Sequence, residues 1–178
     1  MPITLADLQI VSTDPAVHNL QAFDCGDADL NDFLRNDCQT YQGHCLSHTR
    51  LALYNGALVG FVTLLADSII LKTPEKKHLF DFHQKLMYFP AMKIGRLGVA
   101  QNSQGGGVGK ALLKYSIGVA VRMNTDLNVG CRFVTVDAYP KSINWYVQNG
   151  FKFNKHYADP TKTHPSMRYD LLKSPRIN

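Results

Sequence analysis

Apolar residues recur along this chain in two alternating rhythms. Between Arg50 and Leu65, two apolar runs flank Asn55-Gly56. Both central residues of a type I′ turn need positive φ, which this pair tolerates, so the stretch predicts a β-hairpin. Its high apolar content predicts a sheet covered on both faces. Leu30, Phe33 and Leu34 stand at i, i+3 and i+4, which predicts a helix from Asp27 to about Tyr41. Asp27 and Asp29 favour its start by capping and by the helix dipole. A first strand is predicted at about residues 5–11, before Ser12-Thr13-Asp14-Pro15. Beyond the hairpin come a strand at about 92–99, a loop over 100–106 and a helix at about 107–123. That helix would bury Leu112, Leu113, Ser116, Ile117, Ala120 and Val121. A strand at about 131–138 and a short helix at about 141–148 follow, the helix stopped by Asn149-Gly150. A strand starts at Phe151, Pro160 and Pro165 mark a loop, and a last strand spans about 166–172. Met167, Tyr169 and Leu171 share one face of that strand, and Arg168 and Asp170 the other. Strands interleaved with helices place the chain in the α/β class.

At 178 residues the chain is long enough to bury a real core, and it is read as a single domain over 1–178. The net charge of +5 sits entirely in residues 141–178, since the two signs cancel over residues 1–140. A basic C-terminal element favours acidic or phosphate-bearing partners, though a solvated basic face reads the same way. The segment 72–90 is polar, with Lys72, Lys76, Lys77, His78 and His83 among Leu79, Phe82 and Leu86. It is either a border of an active site or a plain surface excursion.

Cys25, Cys38, Cys45 and Cys131 include no C-x-x-C pair, and Met1-Pro2-Ile3-Thr4 does not open a secretory leader. Reduced thiols in a cytoplasmic setting are expected. Cys38, His44, Cys45 and His48 do not have zinc-ligand spacing, so no metal is expected. No apolar run is long enough to span a bilayer.

The chemistry concentrates at Gln104-Gly105-Gly106-Gly107-Val108-Gly109-Lys110, between an apolar strand and a helix. Unpaired amides at a helix start carry positive potential, and glycine lets a phosphate approach them. Three ligand chemistries compete. A magnesium-nucleotide loop needs a hydroxyl after the lysine, but Ala111 stands there. A dinucleotide fingerprint needs a third glycine where Lys110 or Leu112 falls. The third pattern, [Q/R]-x-x-G-x-[G/A], is satisfied by Gln104 to Gly109, which thereby resembles the acyl-CoA diphosphate loop of a known enzyme superfamily.

That loop resembles the GNAT superfamily of N-acetyltransferases. Trp145-Tyr146-Val147-Gln148-Asn149-Gly150-Phe151 resembles the superfamily's F-Y-x-x-x-G-F segment at the right distance. Phe23-Asp24-Cys25-Gly26 with Leu30-Asn31-Asp32-Phe33-Leu34 resembles the opening of toxin-type members, which acetylate the amino acid on charged tRNA. The resemblance implies a mixed central sheet of about six to seven strands flanked by helices and splayed at the CoA site. It implies that the pantetheine arm pairs with the backbone of Leu97, Gly98 and Val99. Gln104, Gly105, Gly106, Gly107, Val108, Gly109 and Lys110 would cradle the diphosphate, and Asn144 would contact the pantetheine. Tyr146 would be the general acid at the coenzyme sulfur.

Some members carry a glutamate base on the loop-bearing strand. Met92–Val99 holds no carboxylate, and Glu75 is the only glutamate in the chain. Deprotonation would fall to ordered water or to an amine of low pKa.

The expectation is an N-acetyltransferase moving acetyl from acetyl-CoA, its cosubstrate, directly to a primary amine. The alternatives are a toxin-type enzyme acting on the amino group of aminoacyl-tRNA and a CoA-binding module with little catalysis. Lys152, Lys155, Lys162, Arg168, Lys173 and Arg176 would line a basic acceptor groove. A small-molecule amine or aminoacyl-tRNA is the expected acceptor. A ribbon-helix-helix antitoxin is a candidate partner, and a homodimer a candidate assembly.

Overall fold

A computed structural model describes residues 2–80, 85–155, 163–174 and 177. Seven strands form one sheet in the order β1-β2-β3-β4-β5-β7-β6. They are β1 Gln9–Ser12, β2 His48–Tyr54, β3 Ala57–Ile70, β4 Tyr88–Val99, β5 Phe133–Asp137, β6 Lys152–Phe153 and β7 Ser166–Asp170. The helices are α1 Ala28–Asp32, α2 Cys38–Gly43, α3 Thr73–Leu79, α4 Val108–Thr125 and α5 Ile143–Gln148. β1, β2 and β3 pair antiparallel, as do β5, β7 and β6. Neighbours β4 and β5 are joined through the helix α4, the connection that parallel strands need, so the sheet is mixed.

The chain divides into two compact units, and β3 and β4 run through both. The first comprises Met1–Leu65 and Ile94–Gly118. Its hairpin turns at Asn55, φ 49°, and Gly56, φ 77°, as a type I′ turn requires. A Cβ on Gly56 would meet nothing within 4 Å, so only the backbone conformation resists a side chain there. Gly56→Ala is therefore expected to lower stability by about 1 kcal/mol, read as a shifted urea midpoint with an unchanged m-value.

The first strand is displaced from its predicted place. The backbone N–H and the hydroxyl of Thr4 both donate to the Asp7 carboxylate, at 2.8 and 2.6 Å, and close a short 3-10 turn over Leu5–Asp7. Local side-chain bonding outcompetes the strand until Gln9.

The predicted 27–41 helix is capped by Asp27, whose carboxylate accepts from the Leu30 N–H at 3.3 Å. It is not regular. A π-helical turn, Phe33–Asp37, separates α1 from α2, and the Cys38 N–H donates back to the Phe33 carbonyl. The wider turn lets residues five apart face one core. Leu30, Phe33, Leu34 and Cys38 are all buried there with Phe23, Leu51 and Phe61.

The second unit comprises Ala66–Lys93 and Val119–Asn178. Ile69, Leu71, Phe89, Ala91 and Phe133 form its core, with Phe80 stacked on Phe89 at 5.2 Å. The excursion after β3 contains α3, while Phe82 and His83 lie outside the described residues. Arg168 and Asp170, on the other face of β7 from Met167 and Tyr169, are buried rather than solvated. Arg168 pairs with Glu75 of α3 at 2.6 Å, and Arg132 grips Asp170 at 2.9 and 3.0 Å.

Along α4, Val108, Ala111, Leu112, Leu113, Ser116 and Ala120 are buried, and Ile117 partly so. Val121, predicted inside, is 42% exposed. Asn124 carries the inner face instead, donating to the Ala120 and Cys131 carbonyls at 3.0 and 2.8 Å and accepting from the Cys131 N–H.

Candidate active site

In the first unit, β4 delivers the glycine loop to the head of α4. A short 3-10 turn, Gln101–Ser103, follows Ala100, whose N–H donates to the Val59 carbonyl at 2.9 Å. Gly105 and Gly107 then take φ of 76° and 99°. Those values turn the chain so that helical bonding starts late, with the Ala111 N–H donating to the Gly107 carbonyl at 3.0 Å. Among the described residues the amides of Gly105, Gly107, Val108, Gly109 and Lys110 have no hydrogen-bond partner. Five donors at the positive end of an 18-residue helix fit a diphosphate. Gly105 and Lys110 are exposed, Gly106, Gly107 and Gly109 part-buried, and Val108 fully buried.

Gln104 is placed differently from its neighbours. Its side-chain amide donates to the Cys25 carbonyl at 2.9 Å and to the Val99 carbonyl at 3.0 Å. Both amide protons are thus occupied in bracing the loop. Asp24 completes the brace. Its carbonyl accepts from the Gln101 N–H at 3.0 Å and its carboxylate from the Gln101 side chain at 2.9 Å. The carboxylate also accepts from the Gly26 N–H at 2.8 Å and from Asn31 at 2.7 Å. These donors, the Gly26 amide foremost, hold the Asp24 carboxyl below its ordinary range. The Phe23-Asp24-Cys25-Gly26 motif therefore buttresses the glycine loop. The motif is visible in the sequence but this task is not, because its partners lie far along the chain.

Leu97, Gly98 and Val99 end β4. Gly98 is buried, and a Cβ there would lie 2.5 Å from the Phe61 ring, so the close packing of strand on ring excludes a side chain. Arg96, two residues earlier, shares that face. Its guanidinium lies on the Phe33 ring at 3.8 Å, and its Nε is buried without a partner. No motif marks Arg96 in the sequence. Its one signal there is a lone charge at the centre of Ile94–Val99.

In the second unit, the 3-10 turn Pro140–Ser142 leads into α5, which carries Asn144 and Tyr146. Asn144 is exposed. Tyr146 is 6% exposed, its ring edge-on to Trp145 at 4.9 Å and to Phe151 at 5.1 Å. The tight turn at Gly150, φ 86°, returns the chain so that the Phe151 N–H donates to the Tyr146 carbonyl at 3.0 Å. Burial pushes the Tyr146 phenol well above its ordinary value, so it holds its proton throughout the neutral range.

Glu75 is held by Arg168 in a buried pair. A cavity of about 580 Å³ is lined by Glu75, His78, Lys152, Lys155, Arg168 and Lys173 among others. Three of the lysines expected in a basic groove are thus gathered, whereas Arg168 is 8% exposed and ion-paired. Lys162 and Arg176 lie outside the described residues. Among the described residues no group of three or more His, Cys, Asp or Glu is placed to hold a metal ion.

The model of the acetyltransferase (GNAT) family matches residues 15–151. Solved structures with the same fold include a tyrosine-to-phenylalanine variant of KacT, at 20% identity and TM-score 0.77, covering 93% of this chain and 96% of that one. AtaT complexed with acetyl-methionyl-tRNAfMet matches at 22% identity and TM-score 0.75, over 93% and 96%. A tyrosine-to-phenylalanine variant of the toxin AtaT, bound to the C-terminus of the antitoxin AtaR and acetyl-CoA, matches at 20% identity and TM-score 0.69, over 93% and 94%.

Proposed function

The chain belongs to the GNAT acetyltransferase family, and from that premise we propose that it moves an acetyl group from acetyl-CoA directly to a primary amine. The observation that carries the reading is the glycine loop, with five unpartnered amides at the head of α4. Those amides and Lys110 bind the donor's diphosphate, and the backbone of Leu97, Gly98 and Val99 pairs with its pantetheine arm. Asn144 makes a further polar contact to that arm. The acceptor amine attacks the thioester carbonyl, the carbon–sulfur bond breaks, and Tyr146 gives its proton to the departing sulfur.

The proposed acceptor is the α-amino group of an aminoacyl-tRNA. Glu75 is tied to Arg168, which leaves no glutamate for a base. An α-amine, with an ordinary pKa of about 7.7–8.0 against about 10.4 for lysine, has a far larger neutral fraction at about pH 7 than a lysine side chain has. AtaT, in its complex with an acetylated methionyl-tRNA, is a neighbour of the same fold. Lys152, Lys155 and Lys173 give RNA phosphates a basic cavity. The complex of AtaT with the antitoxin AtaR supports an antitoxin as the partner, here proposed to be of the ribbon-helix-helix type.

The test is transfer of radiolabelled acetyl into charged tRNA, with free CoA thiol followed in parallel. Cys45 is exposed while Cys25, Cys38 and Cys131 are buried and their thiols pushed up by burial, so Cys45 is the main source of background thiol. Label in small amines but not in RNA overturns the acceptor. Tight CoA binding with no thiol release on any amine reduces the chain to a binding module.

A second measurement concerns the cavity. Replacing Lys152 and Lys155 by alanine together is expected to weaken tRNA binding. It should also flatten the plot of log K against log salt, by about 1 unit of slope for each phosphate no longer neutralised. An unchanged slope removes the cavity from the RNA path.

A further inference from the structure

The face of β4 opposite α4 carries Arg96, whose Nε has no hydrogen-bond partner among the described residues. A Cβ on Gly60 would meet Leu112 and Val108 of α4, so Gly60 marks the α4 face of the sheet. Phe61 alternates to the other face, where it packs against Phe23 at 5.5 Å in the core shared with Phe33. Gly98 and Arg96 point to that second face, away from the helix whose head carries the diphosphate loop.

Arg96 lies flat on Phe33 at 3.8 Å, and among the described residues it has no carboxylate or carbonyl partner. Stacking fixes the plane of the guanidinium and leaves its edge donors without a hydrogen-bond partner among the described residues. The Nε–H and the adjacent Nη–H form a fork that matches two oxygens of one anion, and the Nε of this fork is buried and unsatisfied. Phe33 opens the π-helical turn between α1 and α2, a widened turn of the kind that often marks functional sites.

We propose that Arg96, held by Phe33, recognises an oxyanion borne by the acceptor substrate. The inference rests on the acetyltransferase reading above and names what that reading leaves open on the acceptor side. The oxyanion is a phosphate if the acceptor is an aminoacylated RNA end, and a carboxylate if it is a free amino acid. Arg96 is a binding residue for the acceptor and leaves the donor untouched.

The experiment supplies each amino acid in four forms to the acetyl-CoA-loaded protein. Two are 3′-aminoacylamino-3′-deoxyadenosines, with and without a 5′-phosphate, and two are the free amino acid and its amide. Wild type, Arg96→Ala and Arg96→Lys are compared by KM, kcat and calorimetric Kd. Arg96→Ala is expected to raise KM and Kd for the phosphorylated adenosine about 10- to 100-fold, a charge-assisted pair being at stake. The unphosphorylated form, kcat and the Kd for acetyl-CoA should move less than about threefold on the same basis. Arg96→Lys, which keeps the charge but not the fork, should recover part of the loss.

An Arg96-dependent gap between the free amino acid and its amide keeps the inference and overturns the aminoacyl-tRNA reading. Arg96-dependent binding without acetylation keeps the inference and overturns the activity. Equal losses on anionic and neutral probes, or a weakened acetyl-CoA Kd with unchanged acceptor binding, overturn the inference while leaving the activity standing. So does Arg96-independent binding of every probe.

Discussion

Tyr146→Phe is expected to lower kcat for acetyl transfer about 100-fold, with KM for donor and acceptor within about twofold of wild type. The phenyl ring keeps the edge contacts to Trp145 and Phe151, so the unfolding free energy should stay within about 1 kcal/mol of the parent. The effect sits at the low end of general acid catalysis for a reason visible in the site. A thiolate, with a parent pKa of about 8.5, is a fair leaving group, and a buried phenol is a reluctant donor to it. The pH profile follows with a definite sign. The acid must be protonated, and burial raises its pKa above the ordinary 10. Loss of its proton therefore produces no falling limb between about pH 7 and 10, and the rising limb belongs to the acceptor amine. A falling limb with a midpoint near about pH 8 that disappears in Tyr146→Phe would contradict the buried setting of the phenol. An unchanged kcat in the variant would remove Tyr146 from the chemistry.

Gly107→Ala should be the most damaging change in the loop. Gly107 has φ 99°, and a Cβ there would stand 2.4 Å from the Ile3 carbonyl oxygen and 3.1 Å from the Ile3 nitrogen. Both are backbone atoms, and the Ile3 N–H is itself bonded to the Gly106 carbonyl at 2.7 Å. The N-terminal segment must detach or the loop must move. A stability loss of about 2–3 kcal/mol is expected, together with at least a roughly 10-fold weaker acetyl-CoA Kd. Gly105→Ala is the control, because it shares the positive φ but would meet nothing within 4 Å. It should cost about 1 kcal/mol. Denaturant melts and calorimetry on the two variants decide the matter, and equal effects would refute the steric argument.

The features legible in the sequence are local ones. The Asn55-Gly56 turn, the loop ahead of α4 and the stop of α5 at Gly150 are each set by residues within a few positions of one another. The Thr4–Asp7 turn is local too, but its side-chain bonding competes with a strand pattern that is sound in itself. Other features depend on partners far away in the chain. Arg168 reads as a surface cation until Glu75, 93 residues earlier, lies against it. Gln104 reads as part of a diphosphate cradle, and the sequence does not show that its side-chain amide braces the loop against Cys25, 79 residues earlier. The π-helical turn is set by the core that Phe33 and Cys38 share, and no periodicity announces it.

The brace between the Asp24 motif and the glycine loop also orders events during synthesis. Gln101 and Gln104 meet partners 77 and 79 residues upstream, so the bonds from the loop to Asp24 and Cys25 cannot close until most of the first unit has been made, whereas the bonds within residues 23–31 are local. Contacts of such long range form late, since the intervening chain must first lose its freedom. The braced glycine loop is therefore among the last parts of the first unit to mature, and the coenzyme binding proposed for it would come only once that unit has folded.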